Sequence, residues 1–265
     1  MAIPWKPEWQ RVVSNIELQN VGRGHRYVVP GEVATLASVT TRTNVIAKGF
    51  GFNQWLRRDS LEYMVNMLLT SEPLPNENYV QYLNRLSKMS ENPPSDKRDL
   101  GTLTHAILEE YFTGTMPPLP FELDEDFEKE GVESAKVALE HIEILGIDGS
   151  TVESEVKIYS PAHAYAGTID LVGYSHRFNA WLCLDWKRAK GLWPENSYQI
   201  GAYASALEEV VEDGTPVQGW VCLMPSEPGI MVDRKEANLE WSLETYLLAQ
   251  ALHERHSQAD KYAWK

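Results

Sequence analysis

Residues 165–187 read YAGTIDLVGYSHRFNAWLCLDWK, and this stretch determines the centre of the fold. Its two apolar runs, residues 165–174 and 181–186, are rich in the Val, Leu, Ile and aromatic side chains that favour β-strands. The polar residues 175–179 join the two runs as a turn. Because Asp170 and Asp185 lie in these runs, we expect both acids to project from strand ends, where the buried core meets solvent.

The flanking segments extend this pair of strands into a larger sheet. A strand is predicted over residues 152–159, and a helix over residues 198–211 precedes another strand over residues 217–224. A strand, a helix and a further strand in succession favour a parallel crossover beside an antiparallel meander. The sequence therefore predicts an α/β (α+β) fold in which helices flank a mixed central sheet.

The N-terminal portion is expected to be mainly helical after an initial hairpin. Residues 16–18 and 26–29 flank Gly22-Arg23-Gly24, which predicts the hairpin turn. Apolar spacing predicts helices at residues 53–70, 76–90, 101–112, 121–145 and 239–255. Residues 91–99 contain Pro93-Pro94 and predict a loop, for which a linker is favoured over a mobile lid.

We expect a single domain over residues 1–265, because a chain of this length and 43% hydrophobic content can bury one large core. Its predicted parts are an N-terminal arm and hairpin (1–40), a mainly helical part (41–147), the catalytic sheet core (148–230) and a C-terminal helix (231–265).

The charge balance limits the partners that the chain can bind. It has 24 basic and 38 acidic residues and a formal net charge of −14. Phosphate contacts supply most nonspecific binding to nucleic acids, so a nucleic-acid partner would need a local basic groove. Cys183 and Cys222 lie in apolar runs and are expected to be buried and reduced. Without a long apolar run, membrane insertion and secretion are not expected, and a cytoplasmic location is predicted.

The acids and one lysine suggest metal chemistry. Two carboxylates on adjacent strands repel each other unless a cation lies between them, and Mg²⁺ prefers oxygen ligands. Lys187 follows Asp185 by two residues, so strand alternation puts both side chains on one face. An ammonium there suits phosphodiester hydrolysis. An Asp-x-Lys pair alone is more often an exposed ion pair at a strand edge.

A similar ambiguity surrounds His105 and Glu109, which stand four residues apart on one side of the predicted helix. A histidine in this setting is more often a core or surface residue than a ligand. The sequence has no Walker-type loop, GxSxG motif or zinc-finger spacing, so no nucleotide cofactor is expected.

The order of the motifs is more specific than any one of them. Gly101-x-x-x-His105-x-x-x-Glu109 is followed by Val152-Glu153, Gly167-Thr168-Ile169-Asp170, Leu184-Asp185-Trp186-Lys187 and Gln199-x-x-x-Tyr203. This succession resembles the RecB-type nucleases of the PD-(D/E)XK superfamily, and in particular phage exonucleases and the mitochondrial genome maintenance exonuclease. The resemblance implies a restriction-endonuclease-like core.

The resemblance also implies roles for individual residues. His105, Asp170 and Asp185 would bind Mg²⁺ or Mn²⁺ together with the main-chain carbonyl of Trp186. Lys187 would be catalytic alongside Asp170 and Asp185. The residues expected to support the site or contact the substrate are Glu109, Glu153, Arg188, Gln199 and Tyr203. Arg188 stands where this branch often has Ser or Thr; a phosphate contact and a solvated side chain are equally compatible with the sequence. The cysteines of iron–sulfur relatives are missing, so no iron–sulfur cluster is expected.

The implied activity is metal-dependent exonucleolytic hydrolysis of linear DNA, single-stranded or with free ends, in recombination, repair or replication in a bacterium or phage-infected host. The alternatives are a structure-specific endonuclease and a non-catalytic protein that binds nucleic acid or another protein. The implied role is compatible with a protein partner in recombination or replication. DNA contacts are expected from a basic set and an aromatic set of residues. These are Arg57, Arg58, Lys187, Arg188 and Lys190, and Trp55, Trp193 and Tyr203.

Overall fold

The computed structural model describes residues 2–21, 24–43, 61, 63–90, 96–225 and 229–257. The chain divides into two compact units, of which one comprises Met1–Ile46 with Leu100–Lys265 and the other comprises Ala47–Asp99. The motifs from His105 to Tyr203 all belong to the first unit. The single nuclease domain over residues 1–265 stays a prediction.

The N-terminal segment forms a small antiparallel sheet framed by two short helices. Its elements are α1 (Pro7–Val13), β1 (Glu17–Val21), β2 (Gly24–Val28), β3 (Leu36–Ala37) and α2 (Val39–Thr43). β1 pairs antiparallel with β2, which confirms the predicted hairpin. Helix α1 was not predicted. It begins at Pro7, where the missing N–H costs no hydrogen bond.

Within the described residues, four helices follow. They are α3 (residues 63–70), α4 (Tyr79–Ser90), α5 (Asp96–Thr113) and α6 (Glu125–Ile144). The predicted loop is wrong at residues 96–99, since α5 begins there, whereas residues 91–95 and 53–60 lie outside the described residues. α6 begins after Asp124, whose side chain accepts a hydrogen bond of 2.8 Å from the Phe127 amide. Acids in its first turn favour the helix dipole, as predicted.

The larger sheet has five strands in chain order. They are β4 (Glu153–Ser160), β5 (Tyr165–Ser175), β6 (Ala180–Ala189), β7 (Val217–Pro225) and β8 (Asp233–Glu236). β4, β5 and β6 form an antiparallel meander. α7 (Pro194–Val210) then connects β6 to β7, which pairs parallel to β6. The predicted mixed α+β architecture is confirmed.

β8 is a strand that sequence patterns missed. It consists of four charged residues and pairs antiparallel with β7 at the edge of the sheet. Charged side chains are common on edge strands because they discourage pairing with another chain. The segment therefore lacks the apolar alternation by which interior strands are found.

Helices cover both faces of this sheet. On one face, α7 and α8 (Leu239–Ser257) pack against a core that contains Ile158, Ile169 and Cys183. On the other face, α5 and α6 pack against Leu182, Leu184 and Trp186. Strand alternation along β6 therefore places Asp185 and Lys187 on the α7 side of the sheet.

Both cysteines are fully buried and unpaired, as predicted. Among the described residues, no helix combines the length and the apolar content that crossing a bilayer requires.

Candidate metal centre

At the centre of the site, the strand pairing of β5 is interrupted on both sides, toward β4 and toward β6. The pairs Ser154↔Leu171 and Val156↔Ile169 put Glu155 opposite Asp170, although these two residues are not themselves paired. On the other side, pairing with β6 ends at Leu171↔Leu184, so Asp170 and Asp185 face each other one step beyond it. Glu155 has a φ of +53°, a left-handed conformation that is uncommon for a residue with a side chain. At this interruption, Glu155 lies on one side of Asp170 and Asp185 on the other.

A candidate cation site lies at this break. The potential ligand atoms of His105, Glu155 and Asp170 are all within 4.8 Å of one another. α5 supplies the histidine, whose Nδ1 is 3.7 Å from Asp170 Oδ2. The same carboxylate oxygen accepts a hydrogen bond of 2.8 Å from the Trp186 amide, which fixes its position at the end of the ladder. The structure thus brings the predicted His105 and Asp170 together and adds Glu155 to them.

Glu155 is the main site residue that the sequence did not reveal. Burial, followed by the charges of Asp170 and Glu109, raises the pKa of Glu155 to about 8. The carboxyl group is thus kept protonated at neutral pH by burial and, secondarily, by neighbouring acids, and a bound cation would favour its charged form. The sequence carried no distinct signal for it, because Glu155 shares the polar alternation of Glu153 and Lys157 along the strand, and the motif assignment fell on Glu153.

Asp185 and Lys187 form an ion pair beside this cluster. Lys187 Nζ lies 2.6 Å from Asp185 Oδ2, and the two side chains are 26% and 1% exposed. The pair is therefore not the exposed strand-edge contact that is common for Asp-x-Lys. Burial raises the pKa of Asp185, and the charge of Lys187 opposes that effect. Within the described part of the chain, Asp185 Oδ1 has no hydrogen-bond partner.

Gln199 connects this ion pair to α7. Its Oε1 accepts a hydrogen bond of 3.4 Å from Lys187 Nζ. Its Nε2 donates to the Tyr203 hydroxyl at 3.3 Å and to Thr40 Oγ1 at 3.3 Å. The predicted Gln-x-x-x-Tyr motif therefore contacts the lysine through its glutamine. Thr40 joins the motif from α2.

Gly167 makes room for this arrangement. A Cβ atom at Gly167 would lie 2.3 Å from Tyr203 Cε1 and 3.1 Å from Tyr203 Cζ. Because no real side chain tolerates such a contact, the tyrosine ring can occupy its position only while residue 167 is glycine. The glycine of the Gly-x-x-Asp motif thus leaves room for the Tyr203 ring, whose hydroxyl accepts a hydrogen bond from Gln199.

Gly167→Ala should lower the free energy of unfolding by about 1–3 kcal/mol, since the ring or the strand must shift to relieve the overlap. Urea unfolding measures this change. Gly149→Ala is the matched control, because a Cβ atom there has no neighbour within 4 Å. Equal losses in the two variants would contradict the proposed overlap.

Several predicted supporting residues lie around the cluster. Glu109 is close enough to Glu155 to raise its pKa. Glu153 lies next to the N-terminal segment, where its Oε1 accepts a hydrogen bond of 3.5 Å from the Ile3 amide. Trp186 is buried against α6, and a role for its main-chain carbonyl as a ligand stays a prediction.

Arg188 matches neither of its two expected states. Its side chain is only 4% exposed and forms an ion pair with Glu130 of α6. Its Nε also donates a hydrogen bond of 3.2 Å to Ser134 Oγ. The guanidinium is thus neither solvated nor available to a phosphate unless these contacts break.

The residues expected to contact DNA differ in their exposure to solvent. Tyr203 is 3% exposed, so the proposed stacking of a base on its ring is wrong in this conformation. Trp193 is 62% exposed just before α7, and Lys190 is also exposed. Trp55, Arg57 and Arg58 lie outside the described residues.

Comparison with known proteins gives little further information. No family model and no curated protein matches the sequence. Among solved structures, the chain is similar to one named "Putative exonuclease" from Eubacterium rectale, with 10% identity, coverage of 69% of this chain and 74% of that chain, and a TM-score of 0.44. SSO0001 is 12% identical, with coverage of 77% and 89% and a TM-score of 0.24. These likenesses are weak, so the functional argument depends on the site itself.

Proposed function

We propose that the protein is a metal-dependent deoxyribonuclease that hydrolyses phosphodiester bonds as an exonuclease on linear DNA, single-stranded or with free ends. The observation that carries this proposal is the convergence of His105, Glu155 and Asp170 beside the ion pair of Lys187 with the buried Asp185. We further propose that the activity serves DNA recombination, repair or replication.

The available ligand atoms suit a hard divalent cation. Carboxylate oxygens with one imidazole are typical ligands for Mn²⁺ and are compatible with Mg²⁺. His105, Glu155 and Asp170 would hold the ion, and the unpartnered Asp185 Oδ1 offers a further oxygen nearby. When bound, the ion would polarise a phosphoryl oxygen and lower the pKa of a coordinated water.

Lys187 is suited to stabilising negative charge. Burial lowers the pKa of Lys187, but the charges of Asp185 and Asp170 outweigh burial and raise it above its ordinary value. The side chain is therefore protonated at neutral pH and acts as a cation rather than as a proton acceptor. The ion pair with Asp185 Oδ2 and the hydrogen bond to Gln199 Oε1 hold the ammonium in place, and it keeps N–H donors for a phosphate or the attacking water.

A digestion series tests the proposal. Linear single- and double-stranded DNA, labelled at the 5′ or the 3′ end, should be degraded from its ends in the presence of Mg²⁺ or Mn²⁺ and should survive in EDTA. Lys187→Ala should lower kcat by about 100-fold, as expected for the loss of a group that stabilises transition-state charge. Lys136→Ala is the matched control, since Lys136 is exposed and paired with Glu133 on α6.

Other outcomes identify other functions. If a covalently closed single-stranded circle is cut as fast as the linear strand, the protein is an endonuclease. If DNA remains intact and calorimetry detects no metal binding, the non-catalytic alternative replaces the proposal. Cleavage that persists in EDTA or in Lys187→Ala would rule out this mechanism.

A further inference from the structure

The side-chain amide of Gln199 is held in one of its two possible orientations. A primary amide has two N–H donors and one carbonyl acceptor. Its Nε2 donates to the Tyr203 hydroxyl and to Thr40 Oγ1, each at 3.3 Å. The acceptor Oε1 is then left to face Lys187 Nζ at 3.4 Å.

The opposite orientation would be unfavourable for the lysine. Rotation by half a turn about the last side-chain bond of Gln199 exchanges its oxygen and nitrogen, and this torsion has a broad, roughly two-fold preference. It would direct an N–H at the Lys187 ammonium, which has donors but no acceptor. The lysine therefore selects the orientation of the amide. The two hydroxyls, which can donate as well as accept, hold the amide group in place beside it.

Thr40 occupies a fixed position because α2 is anchored independently of it. Val39 is fully buried in the core that also contains Ile200 and Tyr203. Arg42, which is also buried, donates a hydrogen bond of 3.2 Å to the Ala164 carbonyl. α2 should therefore stay in place when the Thr40 hydroxyl is removed, and the hydroxyl can be tested separately from the fold.

We propose that Thr40 is a positioning residue, which fixes the amide of Gln199 and thereby the ammonium of Lys187. Its consequence for catalysis depends on the proposed nuclease function, whereas its effect on Gln199 does not. The N-terminal segment thus contributes to the orientation of the site, although its chain position is far from the sheet.

Kinetics of two substitutions at Thr40 test the catalytic part. Thr40→Val keeps the shape of the side chain and removes its hydroxyl. It should lower kcat about fivefold to tenfold, as expected for the loss of one hydrogen bond. KM should change less than about twofold. Thr40→Ser should restore most of the rate. Thr43→Val is the control, because the Thr43 hydroxyl donates to the Thr40 carbonyl within α2 and not to Gln199.

A double mutant separates a positioning role from a general structural one. In a Gln199→Ala background, Thr40→Val should have no further effect on kcat, because its route to Lys187 is already lost. Multiplicative losses in the double mutant, or a Thr40→Ser variant as slow as Thr40→Val, would overturn the proposal.

NMR tests the effect on Gln199 even if no DNA is cleaved. In ¹⁵N-glutamine-labelled protein, the Gln199 side-chain amide signal is assigned by its loss in Gln199→Ala. Thr40→Val should shift this signal and accelerate its proton exchange with solvent, whereas Thr43→Val should not. An unchanged signal in Thr40→Val would overturn the positioning role, and absence of cleavage by the wild type would instead contradict the proposed function.

Discussion

Asp170→Asn should abolish metal binding and lower nuclease activity by more than about 100-fold. Loss of a residue that only orients a metal ligand costs up to about 100-fold, so loss of a ligand itself should cost more. Asp170 lies at the break between the ladders and faces His105, Glu155 and Asp185. Asparagine keeps an oxygen that can accept the hydrogen bond from the Trp186 amide. The substitution therefore removes the negative charge and preserves the hydrogen bond that holds the side chain in place.

Calorimetric titration with Mn²⁺ and the end-labelled DNA assay measure these two losses, and circular dichroism checks the fold. Asp213→Asn removes an acid that is highly exposed and paired with Lys6, and it should leave metal binding and activity unchanged. Normal Mn²⁺ affinity in Asp170→Asn would show that the cation site lies elsewhere.

Glu155→Gln should stabilise the metal-free protein above neutral pH and eliminate its stabilisation by metal. The raised pKa means that the folded protein retains, up to about pH 8, a proton that the unfolded chain releases near the ordinary value of 4.5. Stability of the wild type should therefore fall as pH rises between these two values, because ionising the buried carboxyl is unfavourable. Glutamine cannot ionise, so this loss disappears.

Thermal unfolding at pH 6 and pH 8.5, with EDTA or with Mn²⁺, measures both effects. In EDTA, the melting temperature of Glu155→Gln should exceed that of the wild type at pH 8.5 by at least about 2 °C, which corresponds to roughly 1 kcal/mol in a chain of this size. Mn²⁺ should raise the melting temperature of the wild type only. Glu153→Gln is a control on the same strand, and if it loses the metal response while Glu155→Gln keeps it, the ligand assignment is wrong.

The sequence predicted those parts of the structure that depend on local periodicity. The strands of the meander, the crossover helix and the common face of Asp185 and Lys187 follow from alternation and helical spacing. His105 is also near Asp170, although spacing alone could not choose between a ligand and a core histidine.

Other features depend on contacts between distant segments and could not be predicted in this way. Glu155 enters the cluster because its ladder is interrupted and its backbone is left-handed. Arg188 is buried because α6 presents Glu130 to it, and Tyr203 is buried because Gly167 admits its ring. A sequence pattern specifies neither an irregular backbone nor the segment that packs over a given strand.

The contact between Gly167 and Tyr203 has an evolutionary consequence. Because one ring fills the space that a methyl group at residue 167 would need, the two positions share a single volume. Among related chains, a larger residue at the first position should accompany a smaller one at the second, and the pair should covary. Loss of the aromatic ring at residue 203 would then indicate that this part of the interior is packed differently.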